Sequence, residues 1–308
     1  MRRMRLEPRV YQRITLVAVF LLAAIIVTGA AVRLTSSGLG CPEWPNCEPG
    51  SLTPRAETDA HGWVEFVNRM VTGLVSMAVI LAVLGALLRS PRRRDLTLLS
   101  CGLVIGVFGQ AVLGGLVVKF GLLPPFVMAH FLVSMLLLAN AVVLYDRAGR
   151  PEGSWRPVVG RPVVLVSRLV LLLTAAVLFA GTVVTATGPH GGDEDAERFG
   201  LSLPHVTRIH GLLAMALLAA IVTVVWVLDR EGGAPIVLRR RLSALLVAVL
   251  GQAAVGYIQY FNDIPELLVG LHIAGATTIA GLAVWCYLGC FTVDRREERM
   301  ADLATSAV

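Results

Sequence analysis

The chain has 308 residues, of which 56% are hydrophobic and 16% are charged, and its mean hydropathy is +0.74. A soluble domain of this length could not cover its surface with so few charged side chains, so the composition excludes a soluble globular protein. The formal net charge of +6 does not indicate nucleic-acid binding, because the basic residues lie between apolar segments, as they do in membrane proteins.

Apolar segments of about 20 residues alternate with short charged loops along the whole chain. This pattern predicts an all-α integral membrane protein with eight transmembrane helices. The predicted spans are 14–33, 63–88, 96–118, 125–145, 163–187, 206–228, 242–260 and 266–290. Because further apolar segments follow the first, we expect the first to be a permanent helix and not a cleaved signal peptide.

The distribution of basic residues predicts the orientation of these helices. Of the 27 Lys and Arg residues, 20 lie on one side, in the segments 1–13, 89–95, 146–161, 229–241 and 292–308. The positive-inside rule therefore predicts that both termini are cytoplasmic and that the loop over residues 34–62 is extracytoplasmic. No Ser-rich, acidic-poor leader precedes the first helix, so we expect a bacterial plasma membrane in preference to a mitochondrial one.

The sequence contains an internal repeat. Residues 109–130 match residues 251–272 without a gap at an offset of 142, whereas helix 1 resembles helix 5 at an offset of 152. The polar pairs at the offset of 142 are Gln110 with Gln252, His130 with His272, and Asn68 with His210. The repeat predicts two tandem, duplicated four-helix bundles, residues 1–150 and 151–308, each with a similar pocket. The two glutamines are expected either to bond a neighbouring helix or to contact the edge of a ligand.

Three histidines lie a few residues inside the outer ends of even-numbered predicted helices, namely His130, His210 and His272. Polar residues inside a bilayer are costly and usually functional, although each histidine could instead make a structural hydrogen bond between helices. Two neutral imidazoles from facing helices can hold a heme iron between them. A metal ion without porphyrin would require more ligands, and no acidic or thiolate partner is near. The second bundle is therefore predicted to bind heme through His210 and His272.

The first bundle differs at one ligand position. The repeat predicts that residues 68 and 130 form the matching pair, but residue 68 is Asn68, and an amide is a poor ligand for heme iron. A heme here would have His130 as its one strong axial ligand and a more open opposite face. A heme with one open face is suited to be a substrate, whereas a heme held between two histidines is suited to be an electron carrier.

Glu65 lies three residues before Asn68 and hence on the same face of predicted helix 2. One interpretation is a salt bridge to Arg69, four residues further on. The other is a catalytic carboxylate that stabilises positive charge or takes a proton beside the first heme. Arg69 itself is expected either to contact heme propionates or to extend to the membrane surface.

The first outer loop carries the sequence GLGCPEWPNC, in which Cys41 and Cys47 are separated by five residues. On the oxidising side of a membrane a disulfide is the expected state of such a pair. It could either staple the loop or act as a redox element near the substrate pocket.

Through these features the chain resembles the heme A synthase family. The resemblance rests on the TSSGLGCPEWPNC loop, the Glu-x-x-ligand element in helix 2, the GQ…LGG sequence in helix 3 and single histidines in helices 4, 6 and 8. It covers nearly the whole chain. It implies an oxidoreductase that converts the C8 methyl group of heme O to the formyl group of heme A, for cytochrome c oxidase assembly.

The resemblance also implies roles for particular residues. It implies a heme b cofactor on His210 and His272, with heme O in the first bundle near His130. It further implies that Glu65 is the essential carboxylate. Many members of the family have histidine where this chain has Asn68, so ligation of heme O by two histidines is not expected here.

Two other functions are compatible with part of the pattern. A diheme b-type cytochrome that oxidises quinol would need two closed heme sites, which Asn68 disfavours. A transporter is disfavoured because the polar groups gather near the outer surface and not at mid-membrane. The expected partners are heme O as substrate, a possible heme O synthase, an unidentified electron-transfer partner and the lipid bilayer.

Overall fold

The computed structural model describes residues 5–55, 58–232 and 235–294. Within these residues lie eight long helices, each apolar enough to cross a membrane, which confirms the predicted all-α membrane fold. They are α1 (Pro8–Leu34), α2 (Ala60–Leu88), α3 (Arg94–Lys119), α4 (Pro124–Ala148), α5 (Arg161–Thr187), α6 (Leu203–Arg230), α7 (Ile236–Phe261) and α8 (Glu266–Gly289).

Seven of the eight helices extend a few residues beyond the predicted spans, most of all at the starts of α1 and α7, whereas α8 ends one residue earlier than predicted. These starts contain arginines that the hydropathy pattern assigned to loops, such as Arg13 and Arg241. A helix continues through such residues because their long side chains can reach the membrane surface while the backbone keeps its hydrogen bonds. Proline occupies the first turn of α1, α4, α5 and α6, where its missing N–H costs nothing.

Helices α1–α4, here called the first set, pack as a four-helix bundle, and α5–α8, the second set, do the same. In the first set α2 and α4 each contact α1 and α3, so they stand at opposite corners; α6 and α8 do likewise in the second set. Buried apolar side chains of the described residues form one cluster from the first set, with Ala280 added, and one cluster from the second. The sets meet where α1 and α4 pack against α8, and α5 against α4.

A short antiparallel ribbon joins the connector between the sets to the end of α8. It consists of β1 (Ser154–Pro157) and β2 (Phe291–Asp294), which the charged sequence of these segments did not predict. Beside it Asp146 is buried, and its Oδ1 accepts hydrogen bonds from Nη2 of Arg150 at 2.9 Å and from Nη2 of Arg241 at 3.5 Å. Arg150 also donates to the carbonyl of Phe291 at 2.5 Å, so one ion-pair network ties α4, α7 and β2 together.

Candidate heme-binding site

The imidazole rings of His210 and His272 face one another across the interior of the second set. His210 is in the second turn of α6 and His272 in the second turn of α8, and their ring centroids are 6.2 Å apart. Two imidazole nitrogens bound to one metal at about 2 Å, each about 1.1 Å from its ring centre, would put the centroids roughly 6 Å apart. The observed spacing therefore fits an iron atom held between the two rings.

The hydrogen bonds of these rings leave nitrogens available for a metal. Nδ1 of His210 lies 3.1 Å from the carbonyl oxygen of Val177 in α5 and so carries the proton, which leaves Nε2 as a free electron-pair donor. Metal-binding histidines are commonly oriented by such a bond to a carbonyl. Nδ1 of His272 is buried and has no hydrogen-bond partner within the described residues. A hydrogen bond between helices thus uses one ring nitrogen of His210. Among the described residues, neither ring nitrogen of His272 makes such a bond.

Two glycines make room for these rings. A Cβ atom at Gly181 in α5 would lie 3.2 Å from Cε1 of His210, and one at Gly256 in α7 would lie 3.1 Å from Cε1 of His272. Both distances are closer than ordinary contact, so a larger side chain at either position would displace a ring. Both glycines shape the candidate site, and nothing in the sequence distinguishes them from the other glycines of the membrane helices.

The two repeated glutamines hold the backbone at the histidines. Nε2 of Gln252 donates to the carbonyl of His272 at 2.7 Å, and Nε2 of Gln110 donates to the carbonyl of His130 at 2.9 Å. Each bond joins adjacent helices at the turn that carries the imidazole. Of the two expectations for these glutamines, the bond to a neighbouring helix is the one observed.

The first set presents His130 without a facing imidazole. His130 is in the second turn of α4, and its Nδ1 is buried with no hydrogen-bond partner in the part of the chain that the structure describes. Gly114 in α3 lies beside it, since a Cβ atom added at Gly114 would be 3.6 Å from Cε1 of the His130 ring. In α2 the amide oxygen of Asn68 accepts a hydrogen bond from the hydroxyl of Thr28 at 2.8 Å. The residues fit a heme with one strong axial ligand.

Glu65 is buried in α2, and both of its carboxylate oxygens are engaged. Oε1 accepts from Nη2 of Arg69 at 2.6 Å, so the salt bridge that the spacing suggested is present. Oε2 accepts from the backbone N–H of Cys41 at 2.8 Å. The catalytic role of Glu65 stays a prediction, and the bond to Cys41 places this carboxylate directly beneath the disulfide loop, residues 38–47.

Arg69 binds the same loop. Besides Glu65, its guanidinium donates to the carbonyls of Asn46 at 2.8 Å and Cys41 at 3.2 Å. These contacts hold the side chain at the disulfide loop. A contact between Arg69 and a heme propionate stays a prediction.

The disulfide between Cys41 and Cys47 is formed, and its loop closes over α3. The ring of Trp44 packs on Gly115, where an added Cβ would lie 2.8 Å from Cδ2 of the ring. Gly115 follows Gly114, which lies beside His130, so the disulfide loop packs on the turn of α3 that is next to His130.

The disulfide loop is also anchored by its neighbours. The backbone N–H of Gly38 donates to the carbonyl of Gly192 at 2.8 Å, which joins the loop between α1 and α2 to the loop between α5 and α6. Beyond the disulfide, Thr58 and the backbone of Arg55 donate hydrogen bonds to Glu48, and these bonds lower the pKa of that carboxyl.

The remaining histidines lie in loops or near helix ends. Nδ1 of His61 contacts Oγ of Ser37 at 3.0 Å, and Nε2 of His190 contacts the carbonyl of Ile264 at 2.7 Å. Within the described residues, no group of three or more His, Cys, Asp or Glu side chains could hold a metal ion directly.

A family model described as a cytochrome oxidase assembly protein, COX15-CtaA, matches residues 12–189, which is more than half of the chain. The chain belongs to the COX15-CtaA family. The matched residues of this COX15-CtaA protein include the disulfide loop, Glu65 and His130.

Individual relatives extend the similarity along the chain. The heme A synthase of Listeria monocytogenes serotype 4a is 23% identical in an alignment of 299 residues that covers 91% of this chain and 94% of the relative. The heme A synthase of Alkalihalophilus pseudofirmus is 31% identical in an alignment of 182 residues that covers 57% of this chain and 59% of the relative. That of Lysinibacillus sphaericus is 32% identical over 121 residues, 39% of each chain. The similarity to Listeria spans both helix sets of this COX15-CtaA protein.

Proposed function

We propose that this COX15-CtaA protein is a heme A synthase, an oxidoreductase that oxidises the C8 methyl group of heme O to the formyl group of heme A. The observation that carries the proposal is the 6.2 Å separation of the ring centroids of His210 and His272 in the second set. At the two matching positions of the first set, His130 is a histidine and Asn68 is not. Curated relatives named heme A synthase support the same activity. The product serves cytochrome c oxidase, in agreement with the description of the family.

In this proposal the cofactor is heme b, held by His210 and His272. When bound, heme b supplies one-electron transfer through its iron. The protein contributes the orientation of both rings, since Val177 fixes the ring of His210 and Gln252 fixes the backbone of His272. Gly256 leaves the space that the second ring occupies.

Heme O is assigned to the first set, with His130 as its axial ligand and Asn68 and Arg69 beside it. The disulfide loop then covers the substrate and limits the access of water from the outer side. Glu65 accepts a proton or stabilises positive charge close to the reacting methyl group. Oε2 is the oxygen that can take the proton, because it has one donor, Cys41, whereas Oε1 is held by two donors of Arg69.

We further propose that the two sets arose by duplication, with the boundary near residue 150, and that the protein lies in a bacterial plasma membrane. The proposed topology has both termini in the cytoplasm and the disulfide loop on the extracytoplasmic side. It is supported by the 20 basic residues on one side of the helices. A heme O synthase that delivers substrate and an electron-transfer partner complete the proposed set of partners.

The test is to produce the full-length protein in a host that makes heme O and to identify the extracted hemes. Heme A is expected from the wild-type chain, and a Glu65→Gln variant is expected to accumulate heme O. Unchanged heme b alone would favour an electron-transfer cytochrome.

A second measurement tests the cofactor site. The variant His272→Ala is expected to lose the tightly bound low-spin heme, whereas His205→Ala, which changes an exposed histidine in α6, should keep it. A normal low-spin spectrum in His272→Ala would refute the assignment of heme b to the second set.

A further inference from the structure

Asn68 in α2 and His210 in α6 hold matching positions in the repeat, but they are anchored differently. His210 donates directly to the carbonyl of Val177. Asn68 is shorter, and its Oδ1 accepts from the hydroxyl of Thr28 at 2.8 Å, while that hydroxyl lies 3.4 Å from the carbonyl of Ile25. A hydroxyl carries one proton, so the shorter contact takes it. The amide oxygen of Asn68 is therefore fixed toward α1.

This arrangement leaves the other end of the amide available. With Oδ1 bonded to Thr28, Asn68 keeps two N–H donors on Nδ2, and these have no partner within the described residues. Asn68 is half-buried in an apolar helix bundle. Nδ2 is not among the buried polar atoms without a partner, so its two N–H groups are accessible to an incoming acceptor. The site therefore favours a ligand that accepts hydrogen bonds.

Space for such a ligand exists beside α1. A Cβ atom at Gly181 would nearly touch the ring of His210, at 3.2 Å, whereas a Cβ atom at Gly29 would have no atom within 4 Å. Gly29 and Gly181 match at the offset of 152 that relates α1 to α5. In the second set the imidazole of His210 fills the space beside Gly181. The matching space beside Gly29 in the first set is open.

We propose that Asn68 does not bind iron but holds a small exchangeable ligand at the iron position opposite His130. The ligand is a hydrogen-bond acceptor of the size of water, and Nδ2 of Asn68 donates to it. Thr28 is a positioning residue, because it fixes which end of the amide faces the ligand. The inference rests on the proposed function, since it requires the substrate heme to lie on His130.

The experiment is a fluoride titration of the full-length ferric protein, purified from a host that makes heme O and followed by absorption spectroscopy. Fluoride binds only to iron with an open position, and it accepts hydrogen bonds without donating any. The wild-type chain should bind fluoride at the heme that is lost in His130→Ala and not at the heme that is lost in His272→Ala.

Variants at the asparagine and its anchor identify the donor. Asn68→Leu keeps the position open but removes the donors, and should weaken fluoride binding about tenfold or more. Thr28→Val should weaken it several-fold, because the amide is then free to turn. Asn68→His should abolish fluoride binding and give a low-spin spectrum.

The second set provides a matched gain-of-function control. The double variant His210→Asn with Ala180→Thr rebuilds the first-set arrangement there, since Ala180 matches Thr28 at the offset of 152. It should acquire fluoride binding, more tightly than His210→Asn alone.

The outcomes separate the two proposals. If no heme depends on His130, the substrate site and with it the proposed function fail. If a heme depends on His130 but is low-spin and ignores fluoride, or if Asn68→Leu binds fluoride as tightly as the wild type, the role assigned to Asn68 is wrong while the proposed function stands.

Discussion

The guanidinium of Arg33 donates from Nη2 to the carbonyl of Thr185 at 2.8 Å, and these two residues are 152 positions apart, the offset that relates α1 to α5. Each lies one turn outward from a glycine at the proposed pockets, Gly29 in α1 and Gly181 in α5. Arg33 therefore joins the two helix sets at the C-terminal ends of α1 and α5, between the two proposed heme positions.

Replacing Arg33 by methionine should weaken this junction. The bond from a charged donor is lost, but Nε of Arg33, which is buried and has no hydrogen-bond partner among the described residues, is removed as well. We therefore expect the free energy of unfolding to fall by about 1–2 kcal/mol. The thermal unfolding midpoint in detergent, followed by tryptophan fluorescence, should fall. Arg55→Met, in an exposed part of the outer loop, is the control and should leave the midpoint unchanged. If both variants had equal unfolding midpoints, the stabilising contact between Arg33 and Thr185 would be refuted.

Adding a methyl group at Gly256 should disturb the second-set heme. The new Cβ would lie 3.1 Å from Cε1 of His272, so either the ring or α7 must shift. We expect a weaker or partly high-spin heme spectrum in Gly256→Ala. Gly251→Ala in the same helix has no atom within 4 Å of its new Cβ and should behave as the wild type. Identical spectra for the two variants would show that the ring of His272 does not pack against Gly256 when heme is bound.

Glu65 and Arg69 can be separated by single replacements. If Glu65 is catalytic, Glu65→Gln should lower heme A formation by about 10²-fold or more while heme stays bound. Arg69→Met releases the loop carbonyls but keeps the carboxylate, and should lower activity only several-fold. The ratio of heme A to heme O in the extracted pigment measures both. Equal losses, accompanied by equal proteolysis of the disulfide loop, would instead indicate that Glu65 only anchors that loop.

The double replacement of Cys41 and Cys47 by serine tests the role of the disulfide. Arg69 and Glu65 anchor the loop independently of the bond, so a stapling role predicts that heme A formation falls only a few-fold. A loosened loop should also speed the binding of cyanide to the heme on His130. Complete loss of heme A formation with an unchanged rate of cyanide binding would favour a redox role.

The sequence was informative wherever one residue type carries the chemistry. Histidine inside an apolar helix is rare, so His130, His210 and His272 were evident before any coordinates, as was the substitution by Asn68. Glycines such as Gly181 and Gly256 were not found, because a glycine that makes room for a ring looks in sequence like any glycine in a membrane helix. The anchoring of Asn68 by Thr28 was also missed, since the two residues are 40 positions apart on different helices.

Hydropathy and the spacing of charges determined the number of membrane helices and their approximate ends by themselves, because a bilayer leaves an apolar segment of this length one low-energy conformation. Tertiary structure alone decided that the His210 and His272 rings lie 6.2 Å apart, that Glu65 binds the amide of Cys41, and that β1 pairs with β2. Such contacts depend on which helices become neighbours, and that is set by packing between residues far apart in the chain.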